Sequence, residues 1–268
     1  MPASRWSDLA RPPLSQQRLQ RDLAGDLWRE IRVVDTTVST NADLAREARS
    51  GAPEGLVLVA EHQTSGRGRL DRQWESPPRA GLTFSALLRP SLDLAQLSLL
   101  PLIAGLATVE AVSAVCGIET MLKWPNDVLV DGRKLAGLLV ELAGGAAVIG
   151  IGINVSTRED ELPIERATSI ALAGGVTDRE PLLKEVLRSL ARRYESWRWS
   201  GDAASVMPTY RERCETIGAE VALELPGGDV VHGTAVDVDD TGRLVVADPE
   251  TGKRQAWLVG DVTHARRA

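Results

Sequence analysis

The stretch Gln63-Thr64-Ser65-Gly66-Arg67-Gly68-Arg69-Leu70-Asp71-Arg72-Gln73-Trp74 places three arginines and two glycines in twelve residues. It directly follows the apolar run Leu56-Val57-Leu58-Val59-Ala60, which has the look of a buried strand delivering the chain into a loop. Glycine lets a backbone approach a ligand closely and adopt positive φ, while arginine supplies fixed charge and a fork of donors. Such a loop suits phosphate or carboxylate. Taken alone it fits an ordinary solvated loop or a nucleic-acid-binding tail equally well, so the remaining sequence has to decide.

The totals narrow the choice. At 268 residues the chain can bury a real core as one or two domains. The formal charge is −6, and basic residues outside the loop are mixed with acids, which argues against broad nucleic-acid binding. No apolar run is long enough for a bilayer; residues 97–116 come nearest, but Pro101 and several small residues suit a buried helix better. The N-terminus has arginines without a following apolar segment, so no signal peptide is expected. Cys116 and Cys214 lie far apart with no metal or redox spacing, which suits a reducing cytoplasm. His62, His232 and His264 are isolated, so a histidine-rich metal site is not expected, and no metal ligand is assigned.

Residues 1–30 predict a flexible start and one short helix (Leu19, Leu23, Leu27). A strand is expected at 31–35, then Ser39-Thr40-Asn41 as capping residues before a helix to 49. Those same hydroxyl, amide and backbone N–H groups could bind a polar ligand. Further strands are expected at 56–60, 81–88 and 119–124, and one long buried helix at 96–115. Asp131-Gly132 and Gly144-Gly145 read as hairpin turns joining strands 128–130, 135–142 and 146–155. These hairpins bring Lys123, Lys134 and Asn154 into one neighbourhood and make the class α+β, with a mixed, largely antiparallel sheet flanked by helices. After helices at 180–197 and 203–214, closely spaced short strands over 217–268 indicate a small β-barrel docked on the 31–216 domain.

No phosphate-binding P-loop, Rossmann fingerprint or nucleophile elbow is present. The chain instead offers Arg67, Arg69, Lys123, Lys134, Asn41, Gln63, Asn126 and Asn154 on loops and strand ends, a set suited to gathering negative charge. Carboxylate activation by ATP needs this, since two anions brought to 4 Å repel by roughly 4 kcal/mol at an effective dielectric of 20. Singly, each residue has a plainer reading: Lys123 and Lys134 as edge-strand guards, Trp124 as a packed strand end, Asp127 as a turn former.

Together the motifs Gln63-x-x-Gly66-Arg67-Gly68-Arg69 with Trp74, Lys123-Trp124-Pro125-Asn126-Asp127, Lys134-Leu135-Ala136-Gly137 and Gly150-Ile151-Gly152-Ile153-Asn154 resemble those of biotin protein ligases. Ser39-Thr40-Asn41 matches a further element. The resemblance covers residues 33–156 strongly and 217–268 more loosely. It implies a class II synthetase-like catalytic domain with an SH3-like barrel. It also implies a two-step reaction, in which biotin and Mg-ATP form biotinyl-5′-AMP and the biotinyl group then passes to a lysine. The acceptor would be a biotin carboxyl carrier domain of acetyl-CoA carboxylase or another acyl-CoA or pyruvate carboxylase. By resemblance, Ser39, Thr40, Asn41, Gln63, Arg67, Gly68, Arg69 and Lys134 hold biotin and its activated carboxyl end. Trp74, Asn154, Lys123, Asn126 and Lys134 serve the adenylate and phosphates. Arg67, Arg69, Lys134 and Asp127 are the catalytic candidates, Asp127 as base or orienting group. The glycine-rich strands, with Gly137 and Gly152, suit a slot for biotin's ring. A lipoate ligase of similar architecture, a non-enzymatic biotin- or nucleotide-binding regulator and an RNA-binding module are the rivals. No membrane partner is expected, and the chain is expected as a monomer or weak homodimer.

Two features depart from the family. The segment before the catalytic region is too short for a DNA-binding domain, so no operator binding is expected. Asp71 stands where family loops commonly carry a third glycine; aspartate enters left-handed conformations less easily than glycine and adds negative charge beside Arg69 and Arg72. The loop's polar, glycine-rich makeup predicts ordering on ligand binding. Asp71→Gly should therefore change biotin affinity or off-rate, measurable by stopped-flow binding; unchanged values would remove the idea.

Overall fold

The hairpins anticipated between residues 119 and 155 supply four strands of a seven-stranded sheet. The structure, a computed structural model, describes residues 11–25, 27–70, 72–91 and 94–264. The expected flexible start falls largely on residues 1–10, outside the described residues, as does Asp71. The chain runs through α1 (Gln16–Leu23), β1 (Glu30–Val34), α2 (Thr40–Arg49), β2 (Leu56–Ala60), β3 (Gly66–Arg67), β4 (Gln73–Trp74) and β5 (Gly81–Leu88). Next come α3 (Leu94–Leu97), α4 (Leu100–Ala111), β6 (Met121–Lys123), β7 (Asp127–Val130), β8 (Arg133–Ala143), β9 (Ala146–Asn154), α5 (Arg179–Ser200) and α6 (Met207–Arg213). Five strands follow: β10 (Glu220–Glu224), β11 (Val230–Val238), β12 (Leu244–Ala247), β13 (Arg254–Trp257) and β14 (Asp261–His264).

The large sheet has the order β1-β2-β5-β9-β8-β7-β6, antiparallel except for the parallel pair β1–β2. Strand alternation gives it two different faces. Leu82, Phe84, Ala86 and Leu88 of β5 and Ile149, Ile151 and Ile153 of β9 join the main core with α4 and α5. On the other face, Leu87 and Val148 pack with Leu44, Ala45 and Ala48 of α2 in a smaller cluster. Beyond α2 that second face carries Thr83, Ser85, Gly150, Gly152 and Asn154. Small and polar residues there leave the sheet open.

Asp131 and Gly132 have φ values of 48° and 71°, and Gly144 and Gly145 of 54° and 70°. These signs match the two-residue turns the strands' twist favours. The helix expected over 96–115 is broken. A turn at Ser98 and Leu99 separates α3 from α4, with Pro101 in the first turn of α4, and a π-helical segment Val112–Cys116 ends at Gly117. Proline has no N–H to donate and is tolerated only in a helix's first turn, so a helix passing through it must restart there. The strand expected over 119–124 is confined to β6, since Pro125 cannot extend the ladder. Among the described residues no helix is long and apolar enough to cross a membrane.

The C-terminal strands form an antiparallel sheet of order β13-β12-β11-β10-β14. Its strand β13 stops at Trp257, and the chain turns at Gly260 so that β14 pairs with β10. This sheet is seated on the larger one through Trp124, which is 1% exposed. The Trp124 backbone N–H donates to Thr216 Oγ1 at 3.0 Å, and its indole N–H donates to the Gly242 carbonyl at 2.9 Å. His264 Nε2 lies 3.1 Å from the same Thr216 hydroxyl.

At the opposite end, Glu61 and Arg179 form an ion pair of 2.7 Å with side chains only 4% and 5% exposed. Arg179 also donates to the carbonyls of Pro12 and Gly81, and Glu61 accepts the Leu14 N–H at 2.6 Å. Arg179→Met should lower unfolding free energy by about 3–5 kcal/mol in urea titration, because a carboxylate would be left buried and unpaired; the double variant Glu61→Gln/Arg179→Met should recover part of the loss. Burial, then the nearby Lys123 charge, push the His264 imidazole down to about 4. The unfolded chain therefore binds a proton near pH 6.5 that the folded chain refuses, so stability contributed at neutral pH is lost as pH falls from 6.5 towards 4. His264→Gln should flatten that part of the stability–pH curve.

Candidate active site

The open part of the second sheet face is the floor of a cleft of about 440 Å³, within the range of small-molecule sites. The start of α2 forms one wall, the β3–β4 loop another, and the Asn126–Asp127 turn with Lys134 a third. Ser39, Thr40, Asn41, Gln63, Arg67, Gly68, Arg69, Trp74, Asn126, Asp127, Lys134, Gly137, Gly152 and Asn154 all line it. Lys123 does not. It sits opposite Asp127 across the β6–β7 pair, where burial pushes its ammonium pKa down while Asp127 and Asp261 act the other way. Directly opposed residues of an antiparallel pair share a face, so Lys123 is the immediate neighbour of Asp127, which does line the cleft.

The loop is rooted by pairing β3 with β4, Gly66 opposite Trp74 and Arg67 opposite Gln73. Gly66 has no room for a side chain, as a Cβ would lie 2.4 Å from the Trp74 carbonyl. The glycines expected to clear a slot for a ligand ring are, in part, covered by protein side chains. A Cβ on Gly152 would lie 2.4 Å from the Trp74 indole and one on Gly137 3.2 Å from it, whereas one on Gly150 would strike the Asn41 amide at 2.2 Å. Trp74 thus lies on the sheet, its indole N–H buried without a partner among the described residues.

The cleft's cations differ in how they are held. Lys134 Nζ pairs with Asp127 at 2.6 Å, Arg72 with Asp261 at 2.5 Å, and Arg67 with Glu141 at a looser 3.5 Å. Lys134's backbone is pinned on both sides, its N–H donating to Arg166 O and its carbonyl accepting from Thr168 N–H. Arg69 forms no ion pair among the described residues; its guanidinium donates to Asn126 Oδ1 at 3.3 Å and to the Gly260 carbonyl at 3.1 Å. Burial lowers its pKa, with Asp261 and Asp127 opposing. A half-buried guanidinium whose hydrogen bonds among the described residues go to neutral oxygens retains most of its attraction for an incoming anion.

Asn126 is fixed by a reciprocal pair of bonds with Leu138, and Asn154, 3% exposed, donates to Thr168 O. Sequence reasoning missed Thr83, Ser85, Glu141 and Asp261. Thr83 and Ser85 had a local signal, as polar residues alternating with the apolar face of β5. Glu141 and Asp261 had none, because strand pairing and the docking of the C-terminal sheet bring them here. Leu70, at the loop tip, adopts φ of 53°, a left-handed conformation that a branched leucine rarely takes. Among the described residues no group of three or more His, Cys, Asp or Glu side chains could hold a metal ion.

The family model of the biotin/lipoate A/B protein ligase family matches residues 31–157, and that of the biotin protein ligase C-terminal domain matches residues 216–264. The chain is 41% identical over 267 residues to the biotin--[acetyl-CoA-carboxylase] ligase of Mycobacterium tuberculosis, covering 97% of this chain and 98% of that one. It is 31% identical to the bifunctional ligase/repressor BirA of Bacillus subtilis, over 90% of this chain and 77% of the relative. Among solved structures, the biotin protein ligase from Aquifex aeolicus in complex with biotin and ATP superimposes with a TM-score of 0.76 at 31% identity, over 90% of this chain and all of that one. Cleft, mixed sheet and C-terminal sheet agree with these matches: the chain belongs to the biotin/lipoate A/B protein ligase family and, within it, to the biotin protein ligases.

Proposed function

We propose that the cleft carries out both half-reactions of an ATP-dependent biotin protein ligase. The observation that carries this reading is the convergence of Arg67, Arg69, Arg72 and Lys134 on one cleft floored by glycines, with Arg69 the cation lacking a carboxylate partner among the described residues. In the first step a biotin carboxylate oxygen attacks the α-phosphorus of ATP, and the bond to the leaving pyrophosphate breaks. The ground-state problem is anion against anion; Arg69 and Lys134 offset it where negative charge accumulates. Biotin's ring end takes the wall formed by Ser39, Thr40, Asn41 and Gln63, and Trp74, Asn126 and Asn154 lie on the adenylate side. Lys123, the cross-strand neighbour of Asp127, serves the phosphates from the edge of the cleft. Mg²⁺ enters as part of the nucleotide substrate.

In the second step a lysine amine of a biotin carboxyl carrier domain attacks the acyl carbonyl. AMP leaves with the bonding pair, and the amine gives up a proton. Asp127, 2.6 Å from Lys134 Nζ, is placed to orient that amine or take the proton once the Lys134 charge turns to the adenylate. The mixed anhydride is labile to water, which gives closure of the loop tip a purpose. The compartment that fits this reaction and the two buried free thiols is the cytoplasm.

The test is mass spectrometry of a purified carrier domain incubated with this chain, ATP and either biotin or lipoate. A biotinyl adduct on one lysine is expected; its absence under all conditions sinks the reading, and a lipoyl adduct alone replaces it. Lys134→Gln should reduce biotin-dependent pyrophosphate release by about a hundredfold or more, with the fold retained by circular dichroism.

A further inference from the structure

Glu141 lies outside the cleft lining, yet its carboxylate decides how one wall of the cleft is wired. Asn41 Nδ2 donates to Glu141 Oε2 at 2.8 Å and to the Leu139 carbonyl at 3.3 Å. An ionised carboxylate and a carbonyl only accept, so the Asn41 atom facing them must be the NH₂. The Asn41 carbonyl oxygen therefore faces Ser85, whose hydroxyl lies 2.5 Å away and must donate to it. Ser85 has one proton to give. With that proton given to Asn41, the 2.7 Å contact with Thr40 Oγ1 is a hydrogen bond only if the single Thr40 proton turns to Ser85 from Gln63 Oε1, which lies 3.0 Å from Thr40 Oγ1. Thr40, Asn41 and Ser85 are 2%, 4% and 0% exposed.

The Asn41 amide is packed against Gly150, where even a methyl group would come within 2.2 Å of Oδ1. Turned over, its NH₂ would face Ser85, whose proton would then go to Thr40 Oγ1 and leave the Thr40 proton to Gln63 Oε1. We propose that Glu141 is a positioning residue for biotin: it locks the Asn41 amide and so fixes the donor–acceptor pattern that Ser85, Thr40 and Gln63 hold at the ligand's polar end. This rests on the ligase reading above. The loose 3.5 Å pair with Arg67 is a separate contact, and the two are separable, since an acceptor oxygen without charge satisfies Asn41 but not Arg67.

The experiment measures biotin-dependent pyrophosphate release by the full chain, giving KM for biotin, KM for ATP and kcat. No biotin-dependent release by the unmodified chain would overturn the ligase reading itself; the Glu141 proposal is decided only by differences from that baseline. Glu141→Gln keeps an acceptor oxygen and should hold biotin KM within about threefold, whereas Glu141→Met should raise it about tenfold with ATP KM and kcat within about twofold. Asn41→Asp sets two carboxylates against each other and should raise biotin KM by about tenfold or more, and combining it with Glu141→Gln, whose amide can donate, should restore most of the loss. An unchanged biotin KM in Glu141→Met overturns the proposal. So does Glu141→Gln as damaging as Glu141→Met, equal losses for biotin and ATP, or a double variant no better than Asn41→Asp. If Glu141→Met fails to fold by thermal melting, the comparison of Asn41→Asp with the double variant decides alone.

Discussion

Glu61 and Arg179 are a pair of charges that folding has removed almost completely from water. Such burial is tolerated only when the partner and every remaining hydrogen-bonding position are satisfied. Here the satisfying groups come from four places: the segment before α1, the end of β2, the start of β5 and the start of α5. The carboxylate lies two residues before Gln63. The root of the cationic loop is therefore held by a contact that cannot be loosened without exposing a buried charge, while Leu70 at its tip is more than half exposed. Rigid root and exposed tip are what a loop needs if it must present charge accurately and still admit a ligand.

The second organising constraint is the unequal treatment of the two sheet faces. One face is sealed by α4 and α5 against isoleucine, leucine and phenylalanine. The other is only partly covered by α2, and where α2 ends the strands carry glycine, serine, threonine and asparagine. A cleft results with no element devoted to making it. The glycines of β9 serve protein side chains: Gly150 accepts the Asn41 amide and Gly152 the Trp74 indole.

Much of this was legible locally. The hairpins at Asp131-Gly132 and Gly144-Gly145, the Ser39 cap of α2 and the strand leading into the arginine loop each rest on interactions within a few residues, and sequence carries those directly. The break before α4 was legible in principle at Pro101 but was outweighed by the apolar run around it. Features depending on distant partners were not readable. Glu141 reads as an ordinary strand glutamate until β8 is set beside β9 under α2, and Asp261 belongs to a strand whose existence depends on pairing with β10. Lys123 was placed by its motif in the right neighbourhood: it is the cross-strand neighbour of Asp127, although it does not itself line the cleft.

The seat of Trp124 has a consequence for how the molecule is put together. Its indole is roofed by the Gly242 carbonyl and its backbone tied to Thr216, which also meets His264. The turn that bears Asn126 and Asp127 is thus built partly from the C-terminal sheet. Cutting the chain near residue 216 would not release a self-sufficient catalytic half; it would leave a large aromatic side chain and the active-site turn without their cover. These bonds couple the two sheets, so the smaller one is part of the support of the active-site turn.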